Sequence, residues 1–255
     1  MEEAPKHALL SASSSHRWLH CPPAPVAESA VPDKGSAWAE EGTLAHAIVA
    51  YKLKTYLGED THAEEEEIAQ LRAQYWNEEM EEHTDAYVRY VLGKFREAVK
   101  DYPRARLFVE SRLDFSFWVP EGFGTGDAVI VSDTFIHIID LKYGKGVKVE
   151  AADNPQLKLY ALGALDEYDY RYAFRAVRLT IFQPRRSHIE EWETTPEMLL
   201  TWANSEVFHL ARLAFAGKGE RCPGEWCRFC KVKGECPAHE MMMRAQDPAL
   251  DFQGM

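Results

Sequence analysis

One stretch of the chain limits the fold more than any other: two apolar runs, 126–133 and 135–142, separated by a short polar turn. The second run, FIHIIDLK, is almost entirely apolar, which is typical of a strand buried on both faces of a sheet. Asn154 and Pro155 follow, and an asparagine cap with a proline in the first turn is a strong helix start. The stretch therefore predicts a β-hairpin at the centre of a sheet, followed by a helix.

The flanking segments predict the other elements of an α/β fold. Apolar spacing predicts a helix over 37–57 and a longer acidic helix over 64–100, broken near Asn77. Further strands are predicted at 105–119, 174–184 and 188–194, with a helix at 196–216 and a loop at 24–36. The result is a central mixed sheet flanked by helices in the order αβββαβ, with a helical insertion over 59–100.

Length and apolar content bound the domain organisation and the location. With 255 residues and 46% hydrophobic residues, the chain is long enough for one domain over 1–255. No run of about eighteen apolar residues is present to span a membrane, and the first residues lack the pattern of a signal peptide. We therefore expect a cytoplasmic protein that does not bind membranes, in which cysteines are metal ligands or free thiols rather than disulfides.

The formal net charge of −12 argues against a simple nucleic-acid binder, but the charge is unevenly distributed. Segment 59–85 holds eleven acids and one base, and its ordinary interpretation is a solvated helix face. Segment 141–189 holds nine Lys or Arg residues and five acids, a net of +4. One face of the protein is therefore expected to be mildly basic.

Two acids and a lysine are expected to meet at the end of the predicted hairpin. Asp140 and Lys142 are two residues apart on one strand, so their side chains project from the same face. Asp127, in 124-GTGD-127, begins the preceding strand and would be brought alongside by antiparallel pairing. Carboxylates suit magnesium or manganese, and a lysine can orient water or offset charge on a phosphate.

Three further polar residues are candidates for the same site. Gln156 and Tyr160 are four residues apart on the predicted helix and share a face, and His46 lies on an otherwise apolar helix, where a neutral imidazole can bind metal. Taken singly, each has an ordinary structural interpretation: a surface ion pair for Asp-x-Lys, a core histidine, and two unremarkable helix residues. Their combination in this order is far more specific.

This series resembles the RecB-like branch of the PD-(D/E)xK nucleases, of the iron–sulfur-containing type and including phage-encoded members. The motifs are 124-GTGD-127, 140-DLK-142 and 156-QLKLY-160, after a histidine on a leading helix. The resemblance covers about 37–184. It implies a restriction-endonuclease-like core and a Mg- or Mn-dependent deoxyribonuclease. Such an enzyme is expected to act as an exonuclease on DNA ends or single strands, in phage or bacterial recombination or repair.

The resemblance also implies a role for each matching residue. Metal ligands would be His46, Asp127, Asp140 and the carbonyl oxygen of Leu141. Lys142 would be the catalytic base or a charge stabiliser, and Gln156 and Tyr160 would position the substrate strand. Glu110, on the first predicted core strand, is a further acidic candidate.

A cysteine-rich segment, 217–240, forms a C-terminal lobe with two metal interpretations. In one, Cys222, Cys227, Cys230 and Cys236 bind structural zinc, which spacing alone favours because the four are local. In the other, Cys21 joins the last three around an iron–sulfur cluster, expected to be 4Fe-4S. Nucleases of the AddB and CRISPR-adaptation kinds have this second pattern, so the resemblance implies that the segment closes onto Cys21.

The sequence contains no phosphate-binding G-x-x-x-x-G-K-[ST] loop, so no ATP-driven motor is predicted and any helicase would be a partner protein. No base-reading module is evident either, which favours cleavage that is not sequence-specific. An alternative is a non-cleaving DNA-binding or scaffold protein that keeps the fold and a structural zinc site. The presence of every expected catalytic residue speaks against that alternative.

Overall fold

A five-stranded mixed sheet, whose strands lie side by side in chain order, forms the centre of the fold. The computed structural model describes residues 8–32, 35–168 and 171–246. The strands are Arg106–Asp114 (β1), Phe123–Val131 (β2), Phe135–Leu141 (β3), Ala176–Gln183 (β4) and His188–Thr194 (β5). β3 pairs antiparallel with β2 and parallel with β4, and β4 pairs antiparallel with β5. Every residue of β3 is buried, as its apolar sequence predicts.

The parallel pairing of β3 and β4 requires a crossover, and a helix provides it. This helix, Pro155–Tyr168 (α6), begins as the sequence predicts. Asn154 Oδ1 accepts hydrogen bonds from the N–H groups of Gln156 and Leu157 over 3.1 and 3.3 Å. α6 then packs against β1, β3 and β4. The predicted α/β class, with its mixed sheet and αβββαβ order, is confirmed.

The three longest helices before the sheet include the predicted helical insertion. They are Ala37–Leu57 (α3), His62–Tyr75 (α4) and Glu78–Asp101 (α5). Both α4 and α5 pack against α3. Asn77 separates α4 from α5 and caps α5, because its Oδ1 accepts the N–H of Met80 over 2.8 Å. The predicted break near Asn77 is confirmed.

Apolar side chains of α3, α5 and one face of the sheet form a large buried cluster that sets the direction of the polar residues. Ile139 and Leu141 of β3 belong to this cluster. Side chains alternate along a strand, so Asp140, between these two residues, projects from the opposite face. There it contacts Gln156 of α6. The apolar pattern of β3 thus dictates which face of the sheet carries the carboxylate.

The described residues divide into two compact units. The sheet unit consists of those within 34–114 and 124–199, and the cysteine unit of those within 1–33, 115–123 and 200–255. The sheet unit holds the predicted core 37–184 apart from 115–123. The cysteine unit holds both Cys21 and the predicted segment 217–240. A single nuclease domain over 1–255 stays a prediction.

Short helices dominate the cysteine unit. They are Ser15–His20 (α1), Ala24–Ser29 (α2), Phe208–Phe215 (α8) and Pro237–Gln246 (α9). The helix Pro196–Trp202 (α7) begins in the sheet unit and continues through the π-helical Ala203–Val207 into α8. Both α1 and α2 pack against α8. No described helix combines the length and apolar character needed to cross a membrane.

Two sequence predictions are wrong in part. The predicted loop over 24–36 contains α2, because prolines are compatible with the first turn of a helix and here lie at its start. The predicted strand over 105–119 ends at Asp114. Beyond it the chain turns, and the N–H of Phe115 donates to the carbonyl of Gly122 over 3.1 Å. The aromatic residues there pack within a turn rather than along a strand.

Candidate metal centre and cysteine cavity

The register of the β2–β3 hairpin brings two carboxylates side by side. Ala128 pairs with Ile139, so the next position along sets Asp127 opposite Asp140. Both acids are buried, with 8% and 2% of their surface exposed. Asp127 Oδ2 accepts the backbone N–H of Leu141 over 2.6 Å, which fixes one carboxylate to the neighbouring strand.

His46 and Glu110 complete a group around Asp127. His46 Nδ1 of α3 lies 3.2 Å from Asp127 Oδ1. One ligand atom from each of His46, Glu110 and Asp127 lies within 4.8 Å of the other two, close enough to hold one metal ion. Glu110 has a φ of +49° within β1, a left-handed conformation that costs a non-glycine residue about 1–3 kcal/mol and is often kept at functional sites. The acid suggested by its place on the first strand therefore lies at the site.

A hydrogen-bonded chain links Asp140 to the helix α6. Gln156 Nε2 donates to Asp140 Oδ1 and to the Tyr160 hydroxyl, each over 3.1 Å, and Gln156 Oε1 accepts from Lys142 Nζ over 2.8 Å. Lys142 Nζ also lies 2.8 Å from Asp140 Oδ2 as an ion pair. Both oxygens of Asp140 are therefore contacted, Oδ1 by Gln156 and Oδ2 by the ammonium of Lys142.

Gly124, at the start of the G-x-x-D motif, makes room for Tyr160. A Cβ at position 124 would lie 2.5 Å from Tyr160 Cε1, well inside van der Waals contact. The G-x-x-D motif thus has two functions in the fold. Asp127 places an acid at the end of the hairpin, and Gly124 leaves space for the aromatic ring. This contact gives the glycine a physical role beside the carboxylates.

Three buried carboxyl groups lie near one another, and His46 and Lys142 are the cations beside them. The pKa values of the group reflect this excess of acids. Burial raises the pKa of Glu110 to about 8, with a further contribution from Asp127. Burial also raises the pKa of Asp140, opposed by Lys142. For Asp127, burial is outweighed by the charge of His46, so its pKa is lowered. Burial alone would lower the pKa of His46, but Asp127 raises it to about 9. A divalent cation would relieve this competition.

The donor set fits a hard divalent ion. Carboxylate oxygens with one imidazole nitrogen suit magnesium or manganese in a partly buried site. Of the sequence-predicted ligands, His46 and Asp127 lie together with the further candidate Glu110 in the group within 4.8 Å. Asp140 lies opposite Asp127 in the hairpin but is not part of that group. For Leu141 the group that contacts the carboxylates is its N–H, so a metal contact by its carbonyl oxygen stays a prediction.

All five cysteines line a single cavity of about 370 Å³ of empty space, open solvent included, in the cysteine unit. Cys21, which follows α1, therefore lines the same cavity as Cys227, Cys230 and Cys236, although nearly the whole sequence separates it from them. Cys222 lines the cavity as well, so both predicted ligand sets are present in its wall. Among the described residues, no three cysteine sulfurs lie within 4.8 Å of one another.

The surroundings of the cysteines differ from one thiol to the next. Burial raises the pKa of Cys21, although the N–H of Cys222 opposes it. For Cys236, the effect of burial is outweighed by the N–H of His239 and the guanidinium of Arg221, which lies 3.6 Å from the sulfur, so its pKa is lowered. A thiol whose pKa is lowered favours the thiolate form that binds metals.

Sequence reasoning missed Glu28, a buried acid that ties the cysteine unit together. Its Oε2 accepts from Arg17 Nε and its Oε1 from the N–H of Lys231, each over 2.8 Å. Lys231 follows Cys230 directly, so Glu28 of α2 fixes the chain beside a candidate ligand. The available signal was an acid placed among alanine, proline and valine, 24-APVAES-29, in a stretch predicted to be a loop.

The chain matches a family model and is similar to solved structures. The family model is described as "Protein of unknown function (DUF2800)" and matches residues 7–253. The solved structure is titled "Crystal structure of SSO0001"; its TM-score is 0.33 and its sequence identity 17%, over 88% of this chain and 96% of that chain. A TM-score this low supports no conclusion about either protein.

Proposed function

The chain belongs to the DUF2800 family, a family of unknown function, and we propose that it is a divalent-metal-dependent deoxyribonuclease. It would hydrolyse phosphodiester bonds of DNA, as an exonuclease, in phage or bacterial recombination or repair. The observation that carries this proposal is the convergence of His46, Glu110 and Asp127 within 4.8 Å, beside the network of Asp140 and Lys142. Three carboxyl groups, an imidazole and an ammonium at one sheet end suit chemistry on a phosphate.

The residues that would hold the ion are His46, Glu110, Asp127 and Asp140. A magnesium or manganese ion there would supply Lewis-acid polarisation of a phosphate oxygen. Asp127 is held in place by the Leu141 N–H. To bind the ion, Asp140 would exchange part of its contact with Lys142, and His46 and Asp127 would exchange their mutual contact, for contacts to the metal.

The other residues would act on the substrate directly. Lys142 Nζ donates to Gln156 and pairs with Asp140, which supports a role as a fixed positive charge beside the developing charge on phosphate. Gln156 holds Lys142, Asp140 and Tyr160 in one network, so it would position the lysine. Water would attack phosphorus and the leaving oxygen would take a proton, giving a phosphomonoester and a free hydroxyl.

The test is cleavage of end-labelled linear DNA by the purified protein with Mg²⁺ or Mn²⁺. We expect time-dependent shortening by the wild type and its loss in Asp127→Asn and Asp140→Asn, which keep side-chain size and remove the charge. Asp101→Asn is the matched control, because Asp101 ends α5 and is exposed. Equal cleavage by wild type and Asp140→Asn, or no cleavage by either, would reject the proposal.

A non-cleaving DNA-binding or scaffold protein with a structural zinc site is the second candidate. The net charge of −12 favours it, since such a charge suits protein partners better than DNA. Stable binding to DNA or to a recombination protein, with no shortening of DNA in any divalent metal, would identify this function instead.

For the cysteine cavity we propose an iron–sulfur cluster, 4Fe-4S, held by Cys21, Cys227, Cys230 and Cys236. What supports it is the presence of Cys21 in the cavity wall beside Cys227, Cys230 and Cys236. Zinc at Cys222, Cys227, Cys230 and Cys236 is the competing assignment. Anaerobic purification with iron, sulfide and zinc analysis separates the two.

The proposed partners follow from this chemistry. The substrate would be single-stranded DNA or duplex ends, and a recombination protein that loads or unwinds DNA would supply any ATP-driven step. The action would take place in the bacterial cytosol, where the free cysteines of the cavity would stay reduced until they bind metal.

A further inference from the structure

A short loop follows the candidate catalytic lysine and is held by one buried side chain. This lysine loop is 144–149, with the sequence GKGVKV. Gln183, at the end of β4 and 2% exposed, donates from Nε2 to the carbonyls of Gly144 and Val147 over 3.1 and 2.9 Å. Its Oε1 accepts the N–H of Val149 over 3.2 Å. A single amide thus satisfies three backbone groups of the loop and sets its shape.

Two arginines that follow Gln183 strengthen this arrangement. Arg186 Nη1 donates to the carbonyls of Lys145 and Gly146, both over 3.0 Å. Arg185 pairs with Glu41 of α3 over 2.7 Å. The segment after β4 therefore fixes the lysine loop and connects it to the helix that carries His46.

The loop carries two exposed lysines and begins two residues after Lys142. The side chains of Lys145 and Lys148 are 54% and 48% exposed, and their ion-pair partners are Glu79 at 3.5 Å and Glu150 at 2.8 Å. Exposed pairs of this kind contribute little, so a phosphate can compete for either lysine. Lys145 is three residues from Lys142 and hence at most about 11 Å away along the chain. That distance spans neighbouring phosphates of a DNA strand at the site.

An ordinary surface loop would not need this support. The backbone of Gln183 pairs within the sheet, whereas the hydrogen bonds described for its side-chain amide all go to the loop. At Gly144 and Gly146 an added Cβ would meet nothing within 4 Å, so the backbone there is open to an approaching strand. In a chain of net charge −12, a rigid loop with two exposed lysines at this place favours an anionic partner.

We propose that the lysine loop binds the DNA phosphates that flank the scissile bond, and that Gln183 is the positioning residue that fixes the loop. The inference rests on the proposed nuclease function for the identity of the bound strand. It adds the residues that hold the strand outside the metal centre. Lys145 and Lys148 would contact backbone phosphates without reading the bases.

The test is binding of a fluorescent oligonucleotide by the full chain, measured by anisotropy with Ca²⁺ in place of Mg²⁺ and repeated in EDTA. Over about 50–200 mM salt, Lys145→Ala and Lys148→Ala should each lower the slope of log K against log salt by about 0.7–0.9. Lys100→Ala, an exposed lysine at the far end of α5, is the matched control and should keep the wild-type slope.

Gln183→Leu tests the positioning role, because it keeps size and removes all three hydrogen bonds. We expect a higher KM for DNA with kcat nearly unchanged, and a lower salt slope although no charge is lost. A purely structural role would lower the melting temperature and leave the salt slope as it is. Trypsin cleavage at Lys145 or Lys148, faster in Gln183→Leu, would confirm that the loop has become loose.

The outcomes separate this inference from the proposed function. Wild-type slopes in both lysine variants, or no DNA binding by the wild type, would overturn the inference. Asp140-dependent cleavage with unchanged lysine slopes would leave the nuclease proposal standing and remove the loop from it. Lowered slopes without any cleavage would support phosphate binding by the loop and remove the nuclease proposal.

Discussion

The two candidate centres of this protein are built on different kinds of secondary structure. In the sheet unit, the carboxylates lie on β1, β2 and β3, and the residues that orient them lie on the helices α3 and α6. In the cysteine unit, Cys227 lies in the short 3₁₀ turn Glu225–Phe229, and the other ligands of the proposed cluster directly follow short helical segments: Cys230 follows that turn, Cys236 follows the turn Lys233–Glu235 and Cys21 follows α1. One centre is fixed by regular hydrogen bonding and the other by local turns.

This difference indicates what each centre depends on. A side chain on a paired strand is positioned by the register, which is maintained by the buried core whether or not an ion is bound. Short turns contain few backbone hydrogen bonds, so a bound metal centre would contribute much of the stability around them. We therefore expect changes at the carboxylates to affect activity and changes at the cysteines to affect folding.

The largest expected effect is the loss of the cysteine centre. Cys227→Ser removes a buried ligand common to both assignments, and we expect the metal to be lost together with folding free energy on the order of 10 kcal/mol. Metal analysis and thermal unfolding measure this loss. Cys21→Ser and Cys222→Ser distinguish the two assignments. Loss of metal only in Cys21→Ser supports the iron–sulfur assignment, and loss of metal only in Cys222→Ser supports the zinc assignment. Full stability of metal-free Cys227→Ser would contradict the contrast between the units.

The next effect concerns Asp140, where activity and stability should separate. Asp140→Asn is expected to lower the cleavage rate about 10³-fold, roughly 4 kcal/mol of barrier. Its unfolding free energy should stay near the wild-type value or rise, because one of several competing buried carboxylates is removed. Single-turnover kinetics and urea unfolding give the two numbers. A large loss of stability would show that the carboxylates support the fold, against the comparison.

A smaller effect is expected at Gly124, where the hairpin packs against Tyr160 of α6. Gly124→Ala places a Cβ 2.5 Å from Tyr160 Cε1, so the ring must move, at a cost of about 1–3 kcal/mol in unfolding free energy. Gly93→Ala is the control, since an added Cβ there meets nothing within 4 Å and alanine favours the interior of α5. Urea unfolding should show the first variant destabilised and the second unchanged or stabilised. Equal behaviour of the two would mean that Tyr160 tolerates the methyl group.

The last effect is a pH dependence that comes from the sheet alone and is small near neutral pH. Burial lowers the pKa of His137 to about 3, and its Nε2 lies 2.7 Å from Thr180 Oγ1. The unfolded chain binds this proton near pH 6.5, so the folded state loses up to about 1.4 kcal/mol per pH unit as pH falls from about 6.5 towards 3. His137→Gln should lack this loss in unfolding curves, whereas His62→Gln, at an exposed residue, should keep it. A wild-type slope in His137→Gln would reject the assignment.

Local patterns account for the parts of the fold that the sequence predicts. The buried strand β3 follows from its apolar run, and the start of α6 follows from Asn154 and Pro155, because capping involves residues two or three positions apart. The meeting of Asp127 with Asp140 follows from a short turn and a period of two. The end of β1 and the helix α2 were predicted wrongly because aromatic and proline residues there have more than one local preference.

The spacing of apolar and polar residues along the sequence determined the α/β class, the order of the elements and the acids at the end of the hairpin. These features depend on residues that are near one another in sequence. Only the tertiary structure decided that Glu110 turns to His46, that Gly124 accommodates Tyr160 and that Gln183 holds a loop about forty positions away. It also decided that Cys21 reaches the C-terminal cysteines. Such pairs are set by how sheets and helices pack, and packing depends on the whole core rather than on any local pattern.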